Sequence, residues 1–216
     1  MLYRFGQGVL RLLFHTFYDI EVIGESNLPK SGSAIVCANH ISVLDPVLLG
    51  AFLDRPLCFM AKQELFKFKP LGALITALGA FPVNRDAVEL TTIKRALDIL
   101  KSGNAMGIFS QGGRMLTREV NVDAGKAGVA LFATRSESPV IPVGIKGSFR
   151  PFTRVTIHVG EPIIFSEHNG KKLRTPELAE LTKKIMIQIK KLSEDKTFAK
   201  RCPGRYPQVE TQSKPL

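Results

Sequence analysis

From Ser33 onward, short apolar runs alternate with amphipathic stretches of helical period. Residues 33–38, 57–61, 105–109, 139–145 and 155–159 read as strands, preceded by a shorter one at 19–23. Residues 47–53, 87–102, 124–136 and a last segment from Thr175 read as helices. Apolar runs of strand length between helical patterns are the mark of strands buried beneath helices. The alternation predicts an α/β fold, a mixed β-sheet flanked by helices. At 216 residues the default is one compact domain. Leu90, Ile93, Leu97 and Leu100 define the inward face of one helix, with Gly103 as its C-cap. Pro142 lies inside an apolar strand, so that strand is expected at an edge or kinked. In the final helix Leu178, Leu181, Ile185, Ile189 and Leu192 form the buried stripe. Lys183, Lys184, Lys190 and Lys191 lie off it, as a solvated face or an acidic-lipid contact.

The net charge is +11. Such a surplus points to an anionic partner: nucleic acid, acidic lipid, acidic protein or a phosphate-bearing substrate. No RRM-type aromatic block, zinc finger or recognition helix accompanies it, so nucleic acid is set aside. Cys37, Cys58 and Cys202 form no CxxC pair, which implies a reducing compartment and no metal site. Residues 2–18 carry Leu2, Phe5, Val9, Leu10, Leu12, Leu13, Phe14 and Phe17 with Arg4, Arg11 and His15 among them. That segment is too short and too charged to span a bilayer, which takes about 20 apolar residues. It suits an amphipathic helix at an anionic membrane surface, or one docked on the domain's own core. Residues 70–83 carry no charge and read as a buried helix plus strand, or as a patch in the lipid surface. The chain thus divides into an N-terminal interfacial helix (1–19), a main domain (20–198) and a flexible tail (199–216) rich in Pro, Gly, Gln and Ser.

Reactive groups in sheet folds gather where strands give way to helices. The first such junction holds His40 and Asp45. An imidazole beside a carboxylate is a general base with a fixed tautomer. A helix beginning near Ser42 would fold the Asp45 carboxylate back toward His40, since one turn is roughly 3.6 residues. The plainer alternative is Asp45 as N-cap ahead of Pro46 at N1, with His40 a hydrogen-bonded strand end. Arg85 emerges directly from the uncharged 70–83 stretch, as a strand-ending surface charge or as a binding group. After the strand at 105–109 come Gln111, Gly112, Gly113 and Arg114. Paired glycines free backbone N–H groups for an anion and Arg114 can grip a phosphate, although two glycines alone make only a turn. His158 has no polar neighbour in sequence and reads as structural.

Four blocks now stand in order: His40-x4-Asp45, residues 79–85 ending in Arg85, residues 109–114 ending in Arg114, and residues 140–145. In this order and spacing they resemble the motif blocks of the glycerolipid acyltransferases, in particular the bacterial 1-acyl-sn-glycerol-3-phosphate acyltransferases, over residues 1–165. The resemblance implies that fold, an enzyme of phospholipid biosynthesis without a cofactor, and a peripheral or monotopic place on the cytoplasmic face of a membrane. It implies His40 as the base that deprotonates the sn-2 hydroxyl of lysophosphatidic acid, with Asp45 holding it. Acyl carrier protein or coenzyme A would bring the acyl thioester. Arg85, Arg114, Gly112 and Gly113 would bind the acceptor's phosphate, with Lys126 just beyond them as a further contact. Gln111 would position the acceptor, and residues 140–145 would serve the donor and the core. The family's third block usually reads Phe-Pro-Glu-Gly-Thr-Arg, whereas Ser110, Gln111 and Gly113 stand here for Pro, Glu and Thr. The neutral Gln111 leaves room for another lysolipid headgroup. A non-catalytic lipid-surface protein is the alternative that keeps the same charge and amphipathicity.

Overall fold

The computed structural model describes residues 2–77, 79–83, 90–109, 111 and 120–195. Its strands are β1 (Tyr18–Ile23), β2 (Ala34–Ala38), β3 (Leu57–Lys62), β4 (Phe81–Val83), β5 (Ala105–Phe109), β6 (Val140–Gly147) and β7 (Thr153–Val159). Its helices are α1 (Leu2–Phe17), α2 (Asp45–Phe52), α3 (Lys69–Ala77), α4 (Leu90–Lys101), α5 (Gly128–Ser136) and α6 (Thr175–Glu194). The strands form one mixed sheet in the order β1-β7-β6-β2-β5-β3-β4. β6, β2, β5, β3 and β4 run parallel, and β7 turns antiparallel against β6. The carboxyl ends of all five parallel strands therefore point to one edge.

Alternation along β2 separates the two layers. Ala34, Val36 and Ala38 face a core shared with α1 and α2. Ile35 and Cys37 face a core shared with α4, α5 and α6. All five are buried, as the unbroken apolar run implied. The 70–83 stretch folds as a helix followed by a strand, α3 and β4.

α1 is tied to α2 by more than apolar packing. Tyr3 and Gln7 donate to the Gly50 carbonyl at 3.2 and 2.9 Å, and Gln7 also reaches Leu53 O at 3.0 Å. Arg11 donates to Ala51 O at 2.6 Å and pairs with Asp54 at 2.7 Å. The last carbonyls of a helix have no partner within it. Here three side chains, one per turn of α1, supply donors to that end of α2. The cation also sits at the negative end of the α2 dipole. Burial holds the Tyr3 phenol above its usual range, so it remains a donor.

Three expectations need correction. Leu90 is 83% exposed, and the inward face of α4 is completed instead by Ala96 beside Leu100. That helix does end as expected: Gly103 at φ 76° and the bonds Gly103 N to Leu100 O and Asn104 N to Ile99 O make a Schellman close. α5 begins at Gly128, not Ala124, so Lys126 precedes it in a loop. β6 is an internal strand despite Pro142. The Pro142 carbonyl accepts from Gly160 N, beyond the last β6–β7 pair at Val143–Val159 and before the bridge from Val140 to Ile163. The nitrogen of a strand residue points to the same side as its carbonyl. Pro142 therefore falls opposite Gly160 at the end of the β6–β7 ladder, where its lack of an N–H costs the pair one of its two bonds. The tail at 199–216 lies outside the described residues.

Candidate active site

β2 ends at Ala38, paired with Phe109 at the end of β5. The next residue, Asn39, is buried at 1% exposure. Its amide donates to Ile145 O at 2.8 Å and accepts from Ile145 N at 2.7 Å. The side chain thus continues the β2–β6 ladder after the backbone has left it. This fixes the direction in which the chain leaves the sheet, and the next residue is His40.

His40 is 7% exposed. Its Nδ1 lies 2.7 Å from Asp45 Oδ2. The same oxygen accepts from Ile41 N at 2.7 Å and Ser42 N at 2.8 Å. Both the expected helix start and the capping alternative differ from this geometry. α2 begins at Asp45, with Leu44 at the N-cap and no side-chain cap bond. The segment folds back through a turn, with Asp45 N on Ser42 O and Leu44 N on Ser42 Oγ, both at 3.2 Å. Asp45 therefore does not cap its own helix. It gathers the amides upstream and the imidazole around one carboxylate oxygen.

The tautomer follows from the pairing. A fully buried carboxylate accepts, so neutral His40 carries its proton on Nδ1. Nε2 is left with a free lone pair, which is what a general base needs. The ring is held flat from one side by Phe109, stacked at 4.2 Å and 20°. Phe109 in turn stacks on Phe59 at 5.9 Å and 13°. Gly107 makes room for this stack: a Cβ there would lie 2.2 Å from the Phe59 ring. Asn39, Phe109 and Phe59 carry no role in the sequence reading. A glycine inside a strand signals close approach, and Gly107 was the clue available.

Gln111 lies two residues beyond Phe109, as His40 lies two beyond the paired Ala38. Its Nε2 donates to Asn121 O at 3.3 Å. Its Oε1 is buried and unpartnered, as is Asp45 Oδ1; these are the two such side-chain atoms among the described residues. Buried polar atoms without partners are rare in native proteins and call for an explanation. Both belong to residues that follow the carboxyl ends of the neighbouring strands β2 and β5.

The remaining candidates divide. Arg85, Gly112, Gly113 and Arg114 lie outside the described residues. The strands that precede them, β4 and β5, end on the same edge as β2. Lys126 is exposed in the loop entering α5, a helix packed on the face of the sheet opposite α2. Residues 140–145 lie in β6 with every side chain buried. Gly144 lets α6 approach, since a Cβ would lie 2.5 Å from the backbone of Leu192 and Ser193. His158 faces Asp195, with Nδ1 to Oδ2 at 4.0 Å, on β7, which β6 separates from β2. Among the described residues no group of three or more His, Cys, Asp or Glu is placed to hold a metal ion.

A buried carboxylate held against one imidazole nitrogen, at the carboxyl edge of a mixed sheet, is an arrangement that can activate a hydroxyl. Residues 19–146 match the family model described as Acyltransferase, and the chain belongs to that family of enzymes. It is 28% identical over 200 residues to the 1-acyl-sn-glycerol-3-phosphate acyltransferase of Bacillus subtilis (strain 168), covering 88% of this chain and 96% of that one. It is 30% identical over 207 residues to the protein of the same name from Streptococcus pneumoniae, covering 90% and 74%. Among solved structures, the 1-acyl-sn-glycerophosphate (LPA) acyltransferase PlsC from Thermotoga maritima superposes with a TM-score of 0.68 at 27% identity, covering 89% of this chain and 78% of that one.

Proposed function

We propose that this acyltransferase moves a fatty acyl group from a thioester to the sn-2 hydroxyl of 1-acyl-sn-glycerol-3-phosphate, making phosphatidic acid. The observation that carries the reading is the 2.7 Å contact between His40 Nδ1 and Asp45 Oδ2. It leaves Nε2 to take the proton of the acceptor hydroxyl. The oxygen attacks the thioester carbonyl, a C–O bond forms, and the C–S bond breaks as the tetrahedral adduct collapses. The imidazolium returns its proton to the departing thiolate, so the enzyme ends as it began. Asp45 stabilises the transient imidazolium. No acyl-enzyme is needed.

The donor is an acyl thioester of acyl carrier protein or coenzyme A. Arg85, Arg114, Gly112 and Gly113 take the acceptor's phosphate, through guanidinium pairs and backbone amides. Gln111 positions the acceptor: its unpartnered Oε1 is an acceptor atom waiting for a donor such as a glycerol hydroxyl. Because that side chain is neutral, a second reading, acyl transfer to another lysophospholipid, keeps a place. The enzyme works from the cytoplasmic face as a peripheral or monotopic membrane protein. The charge of +11 and the exposed apolar residues of α1 support this, and no described helix is long and apolar enough to cross a bilayer.

The test is thioester consumption by purified protein with and without lysophosphatidate. Wild type should consume thioester only when acceptor is present. His40→Ala should lose about 10²–10⁴-fold, the usual contribution of a general base, with an unchanged far-UV spectrum. Consumption at the wild-type rate by His40→Ala would remove the proposed chemistry. Preference for a different lysophospholipid would select the second reading.

A further inference from the structure

α1 carries a buried and an exposed apolar stripe. Leu10 and Phe14 pack into the core shared with α2. Phe5, Val9, Leu12, Leu13 and Phe17 form an adjoining stripe and are 43–72% exposed. Their spacing of four, three, one and four residues keeps them on one broad face. An exposed apolar stripe of this length marks a place where something else docks.

The stripe does not end with the helix. The β6–β7 turn is fastened to the last residue of α1, because Phe152 N donates to Phe17 O at 2.6 Å. Tyr18 packs edge-on against Phe149 of the same turn at 5.8 Å, and Tyr18 is in register with Thr153. Phe152 is 54% exposed at the turn's tip, beside the exposed Arg150 and Pro151. Its φ is 63°, a left-handed conformation that glycine adopts freely and a bulky residue only against steric cost. The turn is closed by the Thr153 hydroxyl, which donates to the carbonyls of Ser148 and Arg150. A strained, braced turn thus presents a large aromatic ring outward, where glycine would satisfy the backbone better.

We propose that Phe152 is a second membrane-inserting side chain, seated with the outer stripe of α1 in a bilayer that carries anionic phospholipid. This rests on the reading that the enzyme works at a membrane surface. Charge selects the occupant. Two copies of a chain carrying +11 repel each other, whereas an anionic bilayer attracts it and receives Arg4 and Arg150 at the margins of the apolar surface. Two points of insertion, one on the helix and one on the turn, fix the orientation of the domain as well as its depth.

The experiment is flotation with vesicles of phosphatidylcholine and phosphatidylglycerol, using the full chain as wild type, Phe152→Gly and Phe152→Asn. Both substitutes tolerate positive φ, so thermal unfolding should occur at the wild-type temperature or above. Partition into anionic vesicles should fall about tenfold, as loss of one half-inserted phenylalanine implies. Wild type that fails to float would defeat the membrane reading itself. Wild type that floats alongside equally well-floating variants would overturn this inference alone. A vesicle-free dimer of wild type that either variant turns into monomer would also overturn it, by assigning the patch to a second copy.

Discussion

Asn39 is the side chain on which the approach to His40 depends. Its two bonds to Ile145 are buried, and removing them orphans one N–H and one C=O inside the sheet. Each orphaned group costs about 1–3 kcal/mol, so Asn39→Ala should lose about 2–6 kcal/mol in urea unfolding. Because the exit of β2 also aims the imidazole, kcat should fall more than KM rises. A variant that lost stability with kcat intact would leave Asn39 a purely structural residue. His40 and Asp45 were legible as a pair in the sequence, because a histidine and a carboxylate at a strand-to-helix junction are few residues apart. Asn39 was not, because its partner is 106 residues away. Nor was the aromatic floor: Phe59 and Phe109 meet only through the β3–β5 pairing, in which Gly107 stands opposite Phe59.

Between α1 and α2 the specific contacts are Tyr3, Gln7 and Arg11 on the carbonyls that close α2. α2 starts at Asp45, so α1 braces the far end of the helix that carries the carboxylate. Gln7→Leu keeps the volume but strands its share of Gly50 O and Leu53 O. Two part-buried hydrogen bonds are worth about 1–2 kcal/mol together, and thermal unfolding should fall accordingly. An unchanged midpoint would mean that apolar packing alone seats the helix. The periodicity of α1 showed an amphipathic helix with two possible homes, membrane or core. In the structure the helix carries a buried and an exposed apolar stripe, and Tyr3, Gln7 and Arg11 are spent on α2 rather than on solvent. A pattern of types along the chain does not distinguish a polar residue facing water from one facing another helix's carbonyls. The same ambiguity misassigned Leu90, a helix-facing leucine by period and an exposed one by position at the start of α4. Pro142 misled for a related reason, since strand order decides which strand is an edge, and order is a property of the assembled sheet.

The architecture as a whole was readable because buried parallel strands leave so plain a trace, and the seven-stranded sheet with helices on both faces follows the alternation closely. β2, β4 and β5 all end at one edge of the sheet. The central claim is that Asp45 leaves Nε2 of His40 as the bare nitrogen. Nitrogen-15 NMR of histidine-labelled protein measures this directly, with the His40 signals assigned by their loss in His40→Ala. At a pH where the ring is neutral, Nδ1 should carry the proton and Nε2 should show an unprotonated, pyridine-type shift, and Asp45→Asn should disturb that balance. A ring protonated on Nε2 in the wild type would contradict the account.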